Sequence, residues 1–317
     1  GRLEFGVSPR PTKLEANPFR FPMTVLRSDD IQIRDPFILP MPEEKCFYLF
    51  GTTDKEPWRG DFAVGFDTYR STDLEHWEGP FPAFRPTPDF WGKFHFWAPE
   101  VHRWQGRFFM FASFKGPGHH RGTQVLVAEH PRGPFRPHSP LAVTPHDCEC
   151  LDGTLYVAPD GRPWMIFSRD WPQVTIGAYA AVPLADDLSA AAGPAFDLFK
   201  VNEAPWVLCP PWHASTGKPP IYVADGAFPF RSATGELCLL FSSWGTGGYA
   251  TGITRSRSGD LRGPWQPDPE PIFAANGGHA MIFTDLAGQV RLTLHQPNDP
   301  APEHPKFFPF QHGVPMR

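Results

Sequence analysis

No stretch of the 317 residues approaches the roughly 18 consecutive apolar positions of a membrane-spanning helix, so a membrane is not an expected partner. Long amphipathic helices are missing as well. The best helical window, Asp186 to Ala192, is shorter than the ten or so residues that a helix assignment needs. Positive charge is scarce: 29 Lys and Arg against 34 Asp and Glu leave a net charge of −5. With no basic run and no alternation of basic and aromatic residues, nucleic acid is not an expected partner either. Cysteine is sparse and odd in number. Cys46, Cys148, Cys150, Cys209 and Cys238 contain no CxxC pair, which argues against a zinc knuckle and a disulfide framework and for reduced, mostly buried thiols. The first residues, Gly1-Arg2-Leu3-Glu4-Phe5, lack the apolar core of a signal peptide. The expected location is cytoplasmic, with a periplasmic or secreted protein that has lost a leader as the alternative. Oligomeric state is not legible.

What the sequence has in quantity is turn formers and aromatic rings: 40 Pro, 29 Gly, 29 Phe and 11 Trp, spread along the whole chain. Such a composition describes many short strands joined by tight turns. One pattern recurs five times, a small or acidic turn, an apolar strand, a polar turn and a second, strongly apolar strand. The copies begin at Arg34-Asp35-Pro36, Trp97-Ala98-Pro99-Glu100, Leu151-Asp152-Gly153, Asp225-Gly226-Ala227 and Gly278-His279-Ala280. A Gly-Pro signature marks outer strands at Gly79-Pro80, Gly133-Pro134-Phe135 and Gly263-Pro264-Trp265. Repeats of this size with four short strands each build a propeller. The expected fold is all-β: a single five-bladed β-propeller domain over residues 1–317, with residues 1–30 an extension that closes or flanks it.

In a propeller the first strand of each blade lines the central axis, so residues at its start converge although they are far apart in the chain. Those residues are Asp35, Trp97, Asp152, Asp225 and His279. One Asp beside Gly or Pro is ordinarily a turn residue. Three at the same blade position form a cluster that is costly to bury, because each charge loses hydration and repels the others. Glycoside hydrolysis needs such a cluster, with one acid to protonate the leaving oxygen and one carboxylate to activate water or attack carbon.

At these residues, and from about Ile33 to Phe308, the sequence resembles the family 43 glycoside hydrolases. The resemblance implies Asp35, in Arg34-Asp35-Pro36, as general base and Asp152 as the residue that orients the acid and raises its pKa. Trp97-Ala98-Pro99-Glu100 matches a second-blade motif of the family, and His279 falls on a histidine near the axis. For the acid, Asn202-Glu203-Ala204-Pro205 fits the family pattern of Glu followed by Ala-Pro, whereas the fourth repeat itself begins at Asp225. Glu203 is preferred and Asp225 is the alternative, with sugar binding as its other role. Further substrate contacts are expected from Arg34, Trp91, Phe96, Trp97, Glu100, Arg169, Trp206 and His279, with Trp244 behind them. The implied chemistry is single-displacement inversion with the two carboxyl groups about 6.5 to 9.5 Å apart. It needs no cofactor, although a calcium ion in the central channel, beside His279, would accord with the family.

The expected substrate is an oligosaccharide or polysaccharide, attacked at its end because no extended run of exposed aromatics suggests a long cleft. α-L-Arabinofuranosidase and β-D-xylosidase activities come first, galactofuranosidase and β-1,3-galactosidase next. Cys148-Glu149-Cys150-Leu151-Asp152 resembles the Glu-Cys-Pro-Asp motif of invertase-like fructosidases, although Glu149 is displaced from its place there. A non-catalytic sugar-binding propeller is the alternative of a different class.

Overall fold

The computed structural model describes residues 25–58, 63–311 and 314–315. Its strands form five antiparallel sheets, one for each repeat, and the five inner strands touch in ring order, the fifth returning to the first. The five-bladed β-propeller expected from the repeats is the fold. The inner strands are Arg34–Met41, Phe94–Trp104, Cys150–Val157, Asp225–Arg231 and Gly278–Thr284. Residues 1–24 of the expected N-terminal extension lie outside the described residues. Val25–Arg27 adds a fifth strand to the outer edge of blade one, pairing with His76–Phe84.

Among the described residues blade five is built from the C-terminal part of the chain alone, so the ring closes there by contacts rather than by a shared strand. The Ile33 N–H donates to the Glu303 carbonyl at 3.0 Å, and His304 Nδ1 donates to the Ile31 carbonyl at 2.9 Å. Beneath them Arg34 Nη1 meets Glu303 Oε1 at 2.8 Å, both side chains buried. The abundant aromatics fill the wedges between blades. Phe66, Phe84, Phe90, Phe96 and Phe114 pack edge and tilt between blades one and two, and Phe199, Trp206, Phe241 and Trp265 do the same between three and four.

One backbone feature repeats at every inner strand. The register between inner and second strand slips just after Arg34, Trp97, Leu151, Asp225 and Gly278, the signature of a β-bulge. The next residue in each case is left-handed: Asp35, Ala98, Asp152, Gly226 and His279 have φ between 45° and 58°. Four of the five are not glycine, and each such residue costs on the order of 1–3 kcal/mol. The strain is offset by a bond from the left-handed residue's N–H to the preceding blade. Ala98 N–H donates to Thr52 Oγ1, Asp152 N–H to Ser113 Oγ, His279 N–H to Ser242 Oγ and Asp35 N–H to His295 Nδ1, at 2.8 to 3.1 Å. The fifth step differs: Gly226 N–H donates to Asp152 Oδ2 at 3.1 Å, and the hydroxyl of Ser168, which holds the equivalent place on blade three, is buried without a partner among the described residues.

The exception predicts a contrast. Ser113→Ala and Ser242→Ala leave a buried N–H unpaired and are each expected to lower stability to urea by about 1–3 kcal/mol, whereas Ser168→Ala removes an already unpaired hydroxyl and is expected to change it little. Equal losses in all three variants would show that the ring of bonds is not what holds the blades together.

Candidate active site

The bulges aim the inner-strand residues into one cavity of about 530 Å³ at the end of the central channel. Asp35, Asp152, Asp225 and His279 line its floor, with Trp97 and Arg34 beside them. Asp35 and Asp152 occupy the left-handed position of their blades, whereas Asp225 stands one residue earlier, directly before the left-handed Gly226. A side chain at Gly226 would run into the ring of His279, 2.8 Å from a Cβ placed there, so only glycine lets these two blades meet.

His279 is the electrostatic centre. Its Nδ1 is 3.0 Å from Asp35 Oδ1 and 3.8 Å from Asp152 Oδ2. Burial alone would lower its pKa, but the three carboxylates, Asp35 first, push it up to about 10, so the ring is an imidazolium at neutral pH. Asp35 responds in the opposite sense. Burial pushes it up, yet His279 and then Arg34 hold its carboxyl well below the usual carboxylate range, and Thr52 Oγ1 donates to its Oδ2 at 2.7 Å. Asp152 and Asp225 are both raised, by burial first and then by neighbouring carboxylates, Asp152 further than Asp225. One carboxylate is held ionised while the other two are pushed toward their protonated forms, which is the separation of roles that acid–base chemistry needs.

Two further groups fix this arrangement. Tyr249 donates its hydroxyl to Asp225 Oδ2 at 2.9 Å and stacks on His295, with ring centroids 5.6 Å apart. His295 accepts from the Asp35 amide at Nδ1, and its Nε2 lies 3.0 Å from Asn298 Oδ1, so Nε2 carries the proton. On the cavity wall Arg121 pairs with Asp170, meets His95 Nδ1 at 3.0 Å and lies 4.3 Å over the Trp97 ring.

Among the expected site residues the cavity gathers Arg34, Asp35, Trp97, Asp152, Asp225, His279 and Trp244. It does not gather the others. Glu203 is exposed on a short turn after the outer strand Phe196–Lys200, where its Oε1 accepts from the Lys200 N–H, so the Glu-Ala-Pro motif is a local cap. Arg169 points the other way along its strand, to Asp197 and Cys148. Phe96 and Trp206 belong to the interblade core, and Glu100 is buried against His102. Trp91 bonds Gln124 and lines a small neighbouring cleft with His119 and His120.

Arg121, Asp170, Trp58, Trp171, Trp212, Tyr249 and Asn298 line the cavity and were not anticipated. A topological signal for most of them exists. The second strand of each blade runs antiparallel to the inner one, so the loop that follows it returns to the same end of the channel. Pro57 and Trp58, Asp170 and Trp171, and Asn298 and Asp299 lie in the loop that follows a second strand, and Trp244 lies at the end of one.

Among the described residues no group of three or more His, Cys, Asp or Glu side chains is arranged to hold a metal ion. His279, beside which a channel calcium was expected, has its Nδ1 3.0 Å from Asp35 Oδ1.

A propeller whose axis ends in a pocket of buried carboxylates provides the groups that glycoside hydrolysis needs. The model of glycosyl hydrolases family 43 matches residues 30–308, and the chain belongs to that family. It is similar to the endo-arabinase of Bacteroides thetaiotaomicron VPI-5482, with 36% identity, TM-score 0.82, and coverage of 91% of this chain and 98% of that one. It also resembles the extracellular exo-α-(1→5)-L-arabinofuranosidase of Cellvibrio japonicus, 23% identical over 275 residues, covering 80% of this chain and 71% of the relative. The α-L-arabinofuranosidase of Lactobacillus brevis shares the fold, with TM-score 0.66 and 17% identity over 92% of this chain and 97% of that one. A carbohydrate is therefore the substrate of this enzyme.

The Arg121–Asp170 pair yields a prediction. Both side chains are buried, so Asp170→Ala strands a guanidinium and is expected to cost about 3–5 kcal/mol in urea unfolding. A loss under about 1 kcal/mol would mean that Arg121 is neutralised by another group.

Proposed function

We propose that the chain is an exo-acting, inverting hydrolase of α-L-arabinofuranosyl linkages, with Asp35 as general base and Asp225 as general acid. The observation that carries the assignment of the acid is register. Asp225 reaches the cavity from the position before a left-handed glycine, with Tyr249 steadying its carboxyl, whereas Glu203 caps an outer turn. Asp35, kept ionised, takes a proton from the attacking water, and Asp225, whose carboxyl is pushed up to about 6, gives one to the leaving oxygen while it is protonated. Asp152 bonds the Gly226 amide beside the acid and takes part in holding the proton there.

The pocket supports attack at a chain end. Trp58, which follows the second strand of blade one, Trp171, which follows that of blade three, and Trp212, between the sheets of blades three and four, line it, and we read these rings as walls that would stop a sugar chain. The arabinose preference is supported by the two relatives named for arabinan-type linkages, one of them at 36% identity. The cytoplasmic location expected from the sequence finds no support in the comparisons, and the Cellvibrio relative is extracellular.

Three variants test the roles. Asp35→Asn is expected to lower kcat by 10²-fold or more on every substrate. Asp225→Ala should slow an arabino-oligosaccharide far more than a dinitrophenyl arabinofuranoside, because an activated phenol leaves without a proton, and Glu203→Ala should leave both rates unchanged. A selective loss in Glu203→Ala would return the acid role to that residue.

The pH profile follows from the shifts. A raised carboxyl donates only while protonated, so kcat/KM on the oligosaccharide is expected to fall as pH rises between about 6 and 8, the values to which Asp225 and Asp152 are pushed. No acidic limb from Asp35 is expected at pH 4 or above, since its pKa lies far lower. The alkaline limb should flatten on the dinitrophenyl substrate; its persistence there would assign it to another group.

A further inference from the structure

The Cys148-Glu149-Cys150 triplet has a geometry that the hydrolytic chemistry does not use. The two sulfurs are 3.3 Å apart, in contact but unbonded. Both are buried at the edge of a cluster with Val143, Phe167 and Leu184, and neither lines the sugar pocket. Arg169, cross-strand partner of Cys150, places Nη1 2.9 Å from Cys148 Sγ. A sulfur that accepts from a thiol and a guanidinium together is favoured as thiolate. The hydrogen bond from Cys150, followed by Arg169, draws Cys148 down to about 7, while the same bond and burial push Cys150 up.

The residue between the sulfurs organises one wall of the pocket. The Glu149 carboxylate accepts from Lys115, from the Arg121 N–H at 2.8 Å and from His120 at 3.0 Å. Its carbonyl accepts from the Asp170 N–H at 2.9 Å, and the Cys150 N–H donates to the Arg121 carbonyl at 2.9 Å. Arg121 and Asp170, the buried pair on the cavity wall, are thus both tied to the triplet.

We propose that Cys148 and Cys150 form a thiol–disulfide site that closes across Glu149 and couples the Arg121–Asp170 wall to redox state. The oxidant is a small-molecule disulfide. The Cys148 thiolate attacks one of its sulfurs, forming a mixed disulfide and expelling a thiolate; Cys150, on losing its proton, attacks Cys148 Sγ, forming the Cys148–Cys150 bond and expelling the second. The pair gives up two electrons and two protons, and the oxidant leaves as two thiols. Closing the sulfurs from 3.3 Å to about 2.05 Å draws the ends of the triplet together and displaces Glu149 from its three donors.

The test uses the intact chain and oxidised glutathione. After an acid quench, unfolding and alkylation, three of the five cysteines should be alkylated and the other two recovered as a Cys148–Cys150 link that dithiothreitol reverses. Cys148→Ser should give no link, and Arg169→Met should slow its formation about tenfold at neutral pH by raising the thiol's pKa. Five alkylated cysteines, or a reaction that stops at the mixed disulfide, would overturn the site. The coupling rests on the proposed hydrolytic reading: KM for an arabino-oligosaccharide should rise severalfold on oxidation and recover with dithiothreitol. A link that forms with KM unchanged overturns the coupling alone, and a reduced enzyme inactive on arabinosides refutes the hydrolytic reading without touching the disulfide.

Discussion

Everything in the site depends on the N–H of one left-handed residue in each inner strand. The bulge that forces that residue out of the extended conformation turns its side chain toward the axis, and the bond from its amide to the neighbouring blade keeps it there. The same few atoms therefore hold the blades in a ring and present Asp35, Asp152 and His279 to one cavity. Elsewhere a hydroxyl or His295 accepts this bond; between blades three and four the Asp152 carboxylate does so instead. Scaffold and site coincide at that step, since one oxygen of Asp152 serves the fold beside the residue proposed as acid.

The charge pattern follows from that convergence. Three carboxylates in one buried volume cannot all ionise, and the imidazolium of His279 compensates for only part of their charge. Its nearest neighbour, Asp35, takes most of the benefit, being also close to Arg34 and bonded to Thr52. Asp152, at 3.8 Å from the same nitrogen, takes less and keeps its proton. A difference of under an ångström in distance to one ring nitrogen, together with the unequal set of donors, separates an ionised carboxylate from a protonated one.

How much of this was legible follows the same geometry. The five repeats named the inner strands, and with them Asp35, Asp152, Asp225 and His279, because a repeat fixes which residues share a radial position. Aromatic residues were not sorted by this means. Phe96 and Trp97 are neighbours in sequence, yet one packs in the core and the other lines the pocket, since alternate residues of a strand face opposite ways. Arg169 and Asp170 differ for the same reason. The wall residues Arg121 and Tyr249 lie on third strands or the loops before them, and their reach depends on interblade packing that no local pattern encodes.

Glu203 shows why a short motif can mislead where a repeat does not. Glu-Ala-Pro describes three residues, and here they satisfy a turn by capping the Lys200 amide. Asp-Gly at 225–226 has a weaker motif but the right register, one residue before the left-handed position, where a carboxylate can enter the cavity only if the following residue lacks a Cβ. An aspartate there is one methylene shorter than a glutamate, so the proton it donates stays nearer the strand. A glycosidic oxygen must come closer to that strand to receive it, and Tyr249 holds the carboxyl in place with a 2.9 Å hydrogen bond. On the proposed assignment, the shorter acid and the tryptophan walls therefore work in the same direction, toward a pocket that accepts one chain end at a time.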